Sequence, residues 1–329
     1  MGETRREALL RGLDARLAAT DALLATRYPG PATGRRPVHT VYVPADRYDP
    51  RTVAAWGAAG AAALAEHGGD DAELAEVLGI PTALLGPVRE RVAAKLAREP
   101  VEDLRVDLED GYGRRADAEE DAAAGAAGAV LGATRGSVAF AGLRCKSLEA
   151  DTRARAVRTL DLFLEAYLAA GGDPAALTIT CPKVSTVDQV AGLVALCAGL
   201  EAAHGIATGA LRFELQVETP PAVLGADGAA TVARMLDAAG GPNRCLALVY
   251  GTYDYSAALG VAPAEQRSDH PVAEHAKAVM QVATADTGVR VSDGSSNILP
   301  VGDHDAVLHA WTVQARLVWR ALRGGLYQG

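Results

Sequence analysis

The chain has 329 residues, 49% of them hydrophobic and 22% charged, enough for one large α/β barrel or two ordinary domains. An aromatic share of only 5% argues against a platform that stacks bases or sugars, and a formal net charge of −9 argues against nucleic acid or an anionic membrane as partner. Cys145, Cys181, Cys197 and Cys245 form no CxxC pair, which argues against a zinc knuckle and against a secreted disulfide scaffold.

Residues 1–24 are charged throughout and read as an amphipathic helix, without the uninterrupted apolar core of a signal peptide. No segment reaches the roughly 18–20 apolar residues of a membrane span, so the expected location is the cytoplasm. A Gly/Pro-rich stretch, 28–37, follows. It divides the chain into a helical extension (1–37) and a catalytic barrel domain (38–329).

Short apolar β-type runs then recur at 38–44, 104–110, 137–144, 177–183, 211–218, 245–251 and, more weakly, 289–294. Between them lie Ala/Leu-rich stretches with helical spacing, such as 151–170 and 186–204. The first interval is unusually long, contains 51–67, 71–78 and 87–97, and predicts one or two extra helices there. Strand–helix alternation predicts a parallel sheet with helices outside. Seven such units in a row favour a (β/α)8 TIM barrel whose eighth strand, due after Gly324-Gly325, is missing or truncated.

Charged residues end nearly every run: Asp46-Arg47, Glu109-Asp110, Arg144 with Lys146, Lys183, Glu218, Asp254 and Asp293. In a parallel barrel all these ends open on one face, where such enzymes keep their chemistry. Carboxylates crowded there need either a divalent cation or pairing with Arg and Lys. An oxygen-only set without His or Cys suits Mg²⁺, which takes one or two protein carboxylates and leaves the rest of its shell to water and substrate.

The bland readings stand beside this one. A single charge after a strand is ordinarily a solvated loop residue. Asp46 and Arg47 either pair with neighbours or face the mouth, and Asp293 before Gly294 reads as a turn residue. His270, His275, His304 and His309 match no HExxH helix, and neither a P-loop nor a strand–GxGxxG–helix context is present. Cys145 and Cys181 read as small core residues.

The segments VYVPADR (41–47), VDLEDGYG (106–113), LRCKS (143–147), CPKV (181–184), LQVETPPAV (215–223) and YGTYDYSAALG (250–260) together resemble the HpcH/HpaI aldolase and citrate lyase β-subunit family of the phosphoenolpyruvate/pyruvate barrel superfamily. The resemblance implies Mg²⁺, with Mn²⁺ as a substitute ion, held by Glu218 and Asp254. It implies Arg144 on the substrate's carboxylate or keto oxygen, Lys183 and Arg47 as further substrate contacts, and Glu109 and Asp110 hydrogen-bonded to metal-bound water. The implied activity is carbon–carbon bond cleavage or aldol addition through a metal-stabilised enolate. The implied partner is a small carboxylate, a 2-oxo acid, a β-hydroxy acid or its CoA thioester. A homotrimer or hexamer is implied as the assembly. No single general base stands out, and water held by Glu109 or Asp110 is the expected one.

Three features depart from the family pattern: Lys146 after the arginine, expected to change the charge beside the substrate, the long first interval, and the abrupt end. Two other classes compete. Phosphoryl transfer would need a phosphohistidine or nucleotide site, for which no motif is found. A non-catalytic barrel subunit would fit a lost strand but not the clustered acids.

Overall fold

The structure, a computed structural model, describes residues 4–327. Seven strands form a single sheet: β1 (Val41–Pro44), β2 (Asp103–Asp107), β3 (Phe140–Arg144), β4 (Leu177–Cys181), β5 (Arg212–Val217), β6 (Cys245–Tyr250) and β7 (Arg290–Ser292). All neighbours are parallel and the spatial order follows the chain, β1 through β7. Twelve helices accompany them among the described residues. They are α1 (Arg5–Arg27), α2 (Thr52–His67), α3 (Asp71–Leu78), α4 (Leu85–Arg98), α5 (Asp117–Ala133) and α6 (Arg153–Ala169), then α7 (Val187–His204), α8 (Pro220–Val223), α9 (Thr231–Ala238), α10 (Thr252–Ala258), α11 (Pro271–Thr284) and α12 (His304–Arg323).

The sheet curls. Arg105 of β2 reaches across to Thr180 Oγ1 of β4 at 3.2 Å and to Glu214 Oε1 of β5 at 3.1 Å, so strands three apart exchange side-chain hydrogen bonds. Side chains alternate across a strand. Asp103, Arg105 and Asp107 therefore share the inner side of β2, while Leu104 and Val106 face the helices and are fully buried. Among the described residues no ladder joins β1 to β7, so the curled sheet is not fully closed.

After α12 the chain turns back beside β7. Tyr327 forms a parallel bridge with Ser292, its N–H donates to the Val291 carbonyl at 3.3 Å, and its own carbonyl accepts from Asp293 N–H at 2.7 Å. Where the eighth strand is due, the described residues make this single bridge, with Leu326 and Tyr327 both buried.

The outer helices pack closely because small residues let them. A Cβ on Gly128 of α5 would collide with the Phe163 carbonyl of α6, so only glycine permits that approach. Phe163, Leu143, Ile179 and Phe213 are core residues between sheet and helices. The long first interval holds α2, α3 and α4, where one or two helices were expected. A second small core, Leu74, Val77, Leu85 and Leu308, ties α3 and α4 to α12. The helix α1 starts with a capping box, in which Thr4 Oγ1 accepts from Glu7 N–H and Glu7 Oε2 accepts from Thr4 N–H, but it buries none of its residues. No described helix is long and apolar enough to cross a membrane.

Candidate functional site

The C-terminal ends of the strands place a set of charges around one mouth. Asp107 and Arg144 are register partners at the ends of β2 and β3. The Asp107 carboxylate accepts from Arg144 Nε at 2.8 Å and Nη2 at 2.6 Å, and also from the N–H groups of Glu109 at 3.0 Å and Gly111 at 2.8 Å. This two-pronged pairing fixes the guanidinium plane, which lies 4.9 Å over the Tyr42 ring. The remaining nitrogen, Nη1, has only ion contacts, to Glu109 at 3.6 Å and Asp110 at 3.7 Å.

Lys183 follows β4 with a left-handed φ of 55°. Its N–H donates to Glu218 Oε1 at 2.8 Å. Its Nζ contacts Glu109 Oε1 at 2.7 Å, Asp254 Oδ2 at 2.8 Å and Asp110 Oδ1 at 3.2 Å. Glu218, just past β5, is 3% exposed, and its Oε2 accepts from Gln216 Nε2 at 2.6 Å. A side chain on Gly251 would collide with Glu218, so the glycine after β6 leaves the room that this carboxylate occupies. Asp254 lies in the first turn of α10 and is largely exposed.

A cleft of about 440 Å³ brings Asp110, Arg144, Glu218, Asp254 and Asp293 onto one surface, walled by Tyr42, Trp56 and Leu299. A smaller bay of about 250 Å³ adjoins it through Asp110 and is lined by Glu109, Lys183, Lys146 and Arg114. A larger groove of about 770 Å³ opens between α2 and α4, but its lining is mostly Ala, Leu and Pro, with Arg89 and Arg98 as its only ionisable side chains. Convergent chemistry lies at the strand ends.

The electrostatics follow from this crowding. Burial, helped by the hydrogen bond to Asp110, pushes Glu109 up to about 7 against the pull of Arg144 and Lys183. For Asp110 burial acts upward too, but the bond to Glu109 and the nearby Lys183 and Arg144 carry it below its ordinary value. Burial raises Glu218, with Asp254 adding to the effect and Lys183 opposing it. Lys183 loses by burial but gains more from Glu218, Asp254 and Glu109, and stays charged well above its ordinary range.

Other expected residues fall elsewhere. Arg47 is exposed and lines neither the cleft nor the bay, while its neighbour Asp46 pairs with Arg115 Nη2 at 2.7 Å. Asp293 is no ordinary turn residue. It is 1% exposed, and both of its carboxylate oxygens accept from the buried Lys277 Nζ, at 2.9 and 3.0 Å. Lys146 lines the adjoining bay with its charge already paired. Its buried Nζ donates to the Leu108 carbonyl at 2.8 Å and pairs with Glu120 at 2.9 Å, fastening the loop that carries Glu109 and Asp110. Cys145 and Cys181 are fully buried, and burial pushes the Cys145 thiol up to about 12. Asp107 was missed: it lies within the VDLED motif, and the signal was its inward parity, two residues before Glu109.

Fold and site together define an α/β protein with a curled parallel sheet and an acid–arginine–lysine cluster at the C-terminal ends of its strands. The chain belongs to the family described as a domain of unknown function (DUF6986), which matches residues 17–329. No curated protein matches the sequence. Among solved structures it is similar to a malate synthase of Haloferax volcanii in a lead(II) complex, with 16% identity, TM-score 0.49, and 68% of this chain against 59% of that one. It is also similar to a citrate lyase β subunit of M. tuberculosis complexed with oxaloacetate and magnesium, with 18% identity, TM-score 0.49 and 88% of each chain. A citrate lyase of Burkholderia xenovorans gives 21% identity, TM-score 0.47, and 71% of this chain against 78% of that one. The chain thus spans 59% of the malate synthase it matches.

Proposed function

We propose that this protein is a Mg²⁺-dependent carbon–carbon lyase or aldolase acting on a small carboxylate, a 2-oxo acid, a β-hydroxy acid or its CoA thioester. The observation that carries the reading is the convergence of Glu218, Asp254 and Arg144 on one cleft at the strand ends.

Among the described residues no three His, Cys, Asp or Glu side chains form a ready-made metal cage. A hard cation that keeps most of its water needs less: one or two carboxylates and space. Glu218 and Asp254 supply the oxygens, Gly251 keeps the space beside Glu218 free of a side chain, and the Lys183 ammonium already lies against Asp254 as a cation. A Mg²⁺ or Mn²⁺ ion held by Glu218 and Asp254 would supply positive charge to offset the negative charge that grows on a substrate oxygen.

The chain's own residues do the rest. Arg144 is held in one orientation by Asp107, so its Nη1 meets a substrate carboxylate or carbonyl without having to reorganise. In cleavage, the β-hydroxyl proton passes to a base and the Cα–Cβ bond breaks. The electron pair moves to the carbon next to the carbonyl, and that enolate then takes a proton. Glu109, with its pKa near 7, is suited to carry a proton both ways. Lys183 and Arg144 keep it within reach of the cleft through their contacts.

The test is a panel of 2-oxo acids, β-hydroxy acids and CoA thioesters assayed with Mg²⁺. Glu218→Gln and Asp254→Asn are each expected to lower kcat/KM by at least about 100-fold. Activity surviving both changes would refute the reading.

A further inference from the structure

One residue touches four acids of the mouth. The N–H of Lys183 binds Glu218, and its Nζ contacts Glu109, Asp110 and Asp254. These acids hang from the ends of β2, β5 and β6, so Lys183, at the end of β4, ties together strand ends that are distant in sequence. Its left-handed backbone is strained for a residue with a Cβ. Only Asp286 shares this feature among the described non-glycine residues. Strain of that kind persists where the surroundings over-determine it. Here the turn lets the backbone N–H bind Glu218 while the ammonium reaches Glu109, Asp110 and Asp254.

Arg144 is committed to Asp107 through two hydrogen bonds. For Asp254, the one ion pair among the described residues is with Lys183. An ammonium at 2.8 Å from Asp254 and a divalent ion on the same carboxylate would repel each other strongly. The lysine has somewhere to go: Glu109 and Asp110 already share its Nζ, so letting go of Asp254 needs only a small swing toward the bay.

We propose that Lys183 is a tethered cation which occupies Asp254 in the metal-free protein and yields it to a divalent ion. It thereby gathers the acids of the cleft beforehand and sets the affinity for the metal. This rests on the reading of Glu218 and Asp254 as the metal ligands. It adds that the chain carries its own competitor for the ion, so loading is an exchange of one cation for another.

The experiment is a Mn²⁺ titration of the purified full chain, with free Mn²⁺ read by electron paramagnetic resonance, for wild type, Lys183→Met and Lys183→Gln. Circular dichroism verifies the fold of each, and either variant alone suffices if the other fails to fold. Without the internal competitor, Mn²⁺ affinity is expected to rise at least about 10-fold, and Asp254→Asn is expected to abolish the gain. If wild type binds Mn²⁺ and the lysine variants bind it equally or more weakly, the exchange is overturned while the metal reading stands. If neither wild type nor variants bind Mn²⁺ at millimolar concentration, both are overturned.

Discussion

Glu109 shows how a single side chain acquires its chemistry from its surroundings. Its ordinary pKa of 4.5 moves up to about 7 because burial disfavours the carboxylate more than Arg144 and Lys183 favour it. A folded-state value raised above the unfolded one means that the folded protein prefers the proton. The stability from this preference is complete below about pH 4.5 and is lost as the pH climbs through about 7. Glu109→Gln removes the titration. Urea denaturation at intervals between pH 4.5 and 8 should therefore show wild type losing stability relative to Glu109→Gln, with the gap levelling off above pH 7. A gap that does not change with pH would mean that Glu109 titrates at its ordinary value. The clustered acids were legible from sequence as strand-end residues. The direction of this shift was not, because it depends on how deeply Glu109 is buried and on which cation reaches it.

At the scale of elements, local signals were strong where hydrogen bonding is local. The Thr186–Gln189 capping box opens α7 and Asp70 caps α3, so those helices begin where their side chains satisfy free N–H groups. The weak run at 289–294 shortens to the three residues of β7, since its neighbours supply partners only over that length. The helix α1 is a different case. It has a sound cap and a row of leucines, yet Leu9, Leu10, Leu13, Leu17, Leu23 and Leu24 are all exposed. Arg27 at its end pairs with Asp237, an exposed contact of the kind that adds at most about 1 kcal/mol. Deleting residues 1–26 is thus expected to shift the thermal midpoint by no more than about 2–4 °C, measured by circular dichroism. A larger drop would reveal packing of α1 that its burial does not express. A shift within that range would support treating 1–37 as an extension outside the barrel domain.

At the scale of the molecule, the inside of the curled sheet is held by charge. Arg105 and the acids Asp103 and Glu214 are almost completely buried, and Thr180 joins them from β4. Burial and the paired arginine pull Asp103 in opposite directions, and burial prevails, so its pKa rises. Removing one partner of such a cluster leaves buried charge uncompensated, at a cost of about 3–5 kcal/mol. Arg105→Met should lower the global unfolding free energy by that amount in equilibrium urea titrations, with one cooperative transition. A loss below about 1 kcal/mol would show that the cluster does not hold the strands together.

Sequence by itself determined the alternation of strands and helices, the extra helices before β2 and the line of charges at the strand ends, because periodicity, caps and turn residues act over a few positions. Only the tertiary structure decided how those charges pair: Arg144 with Asp107, Lys277 with Asp293, Lys146 with Glu120, Lys183 across four acids, and Arg47 outside the cleft. Pairings between different elements depend on sheet register, curl and depth of burial. A pattern read along one chain carries none of those quantities.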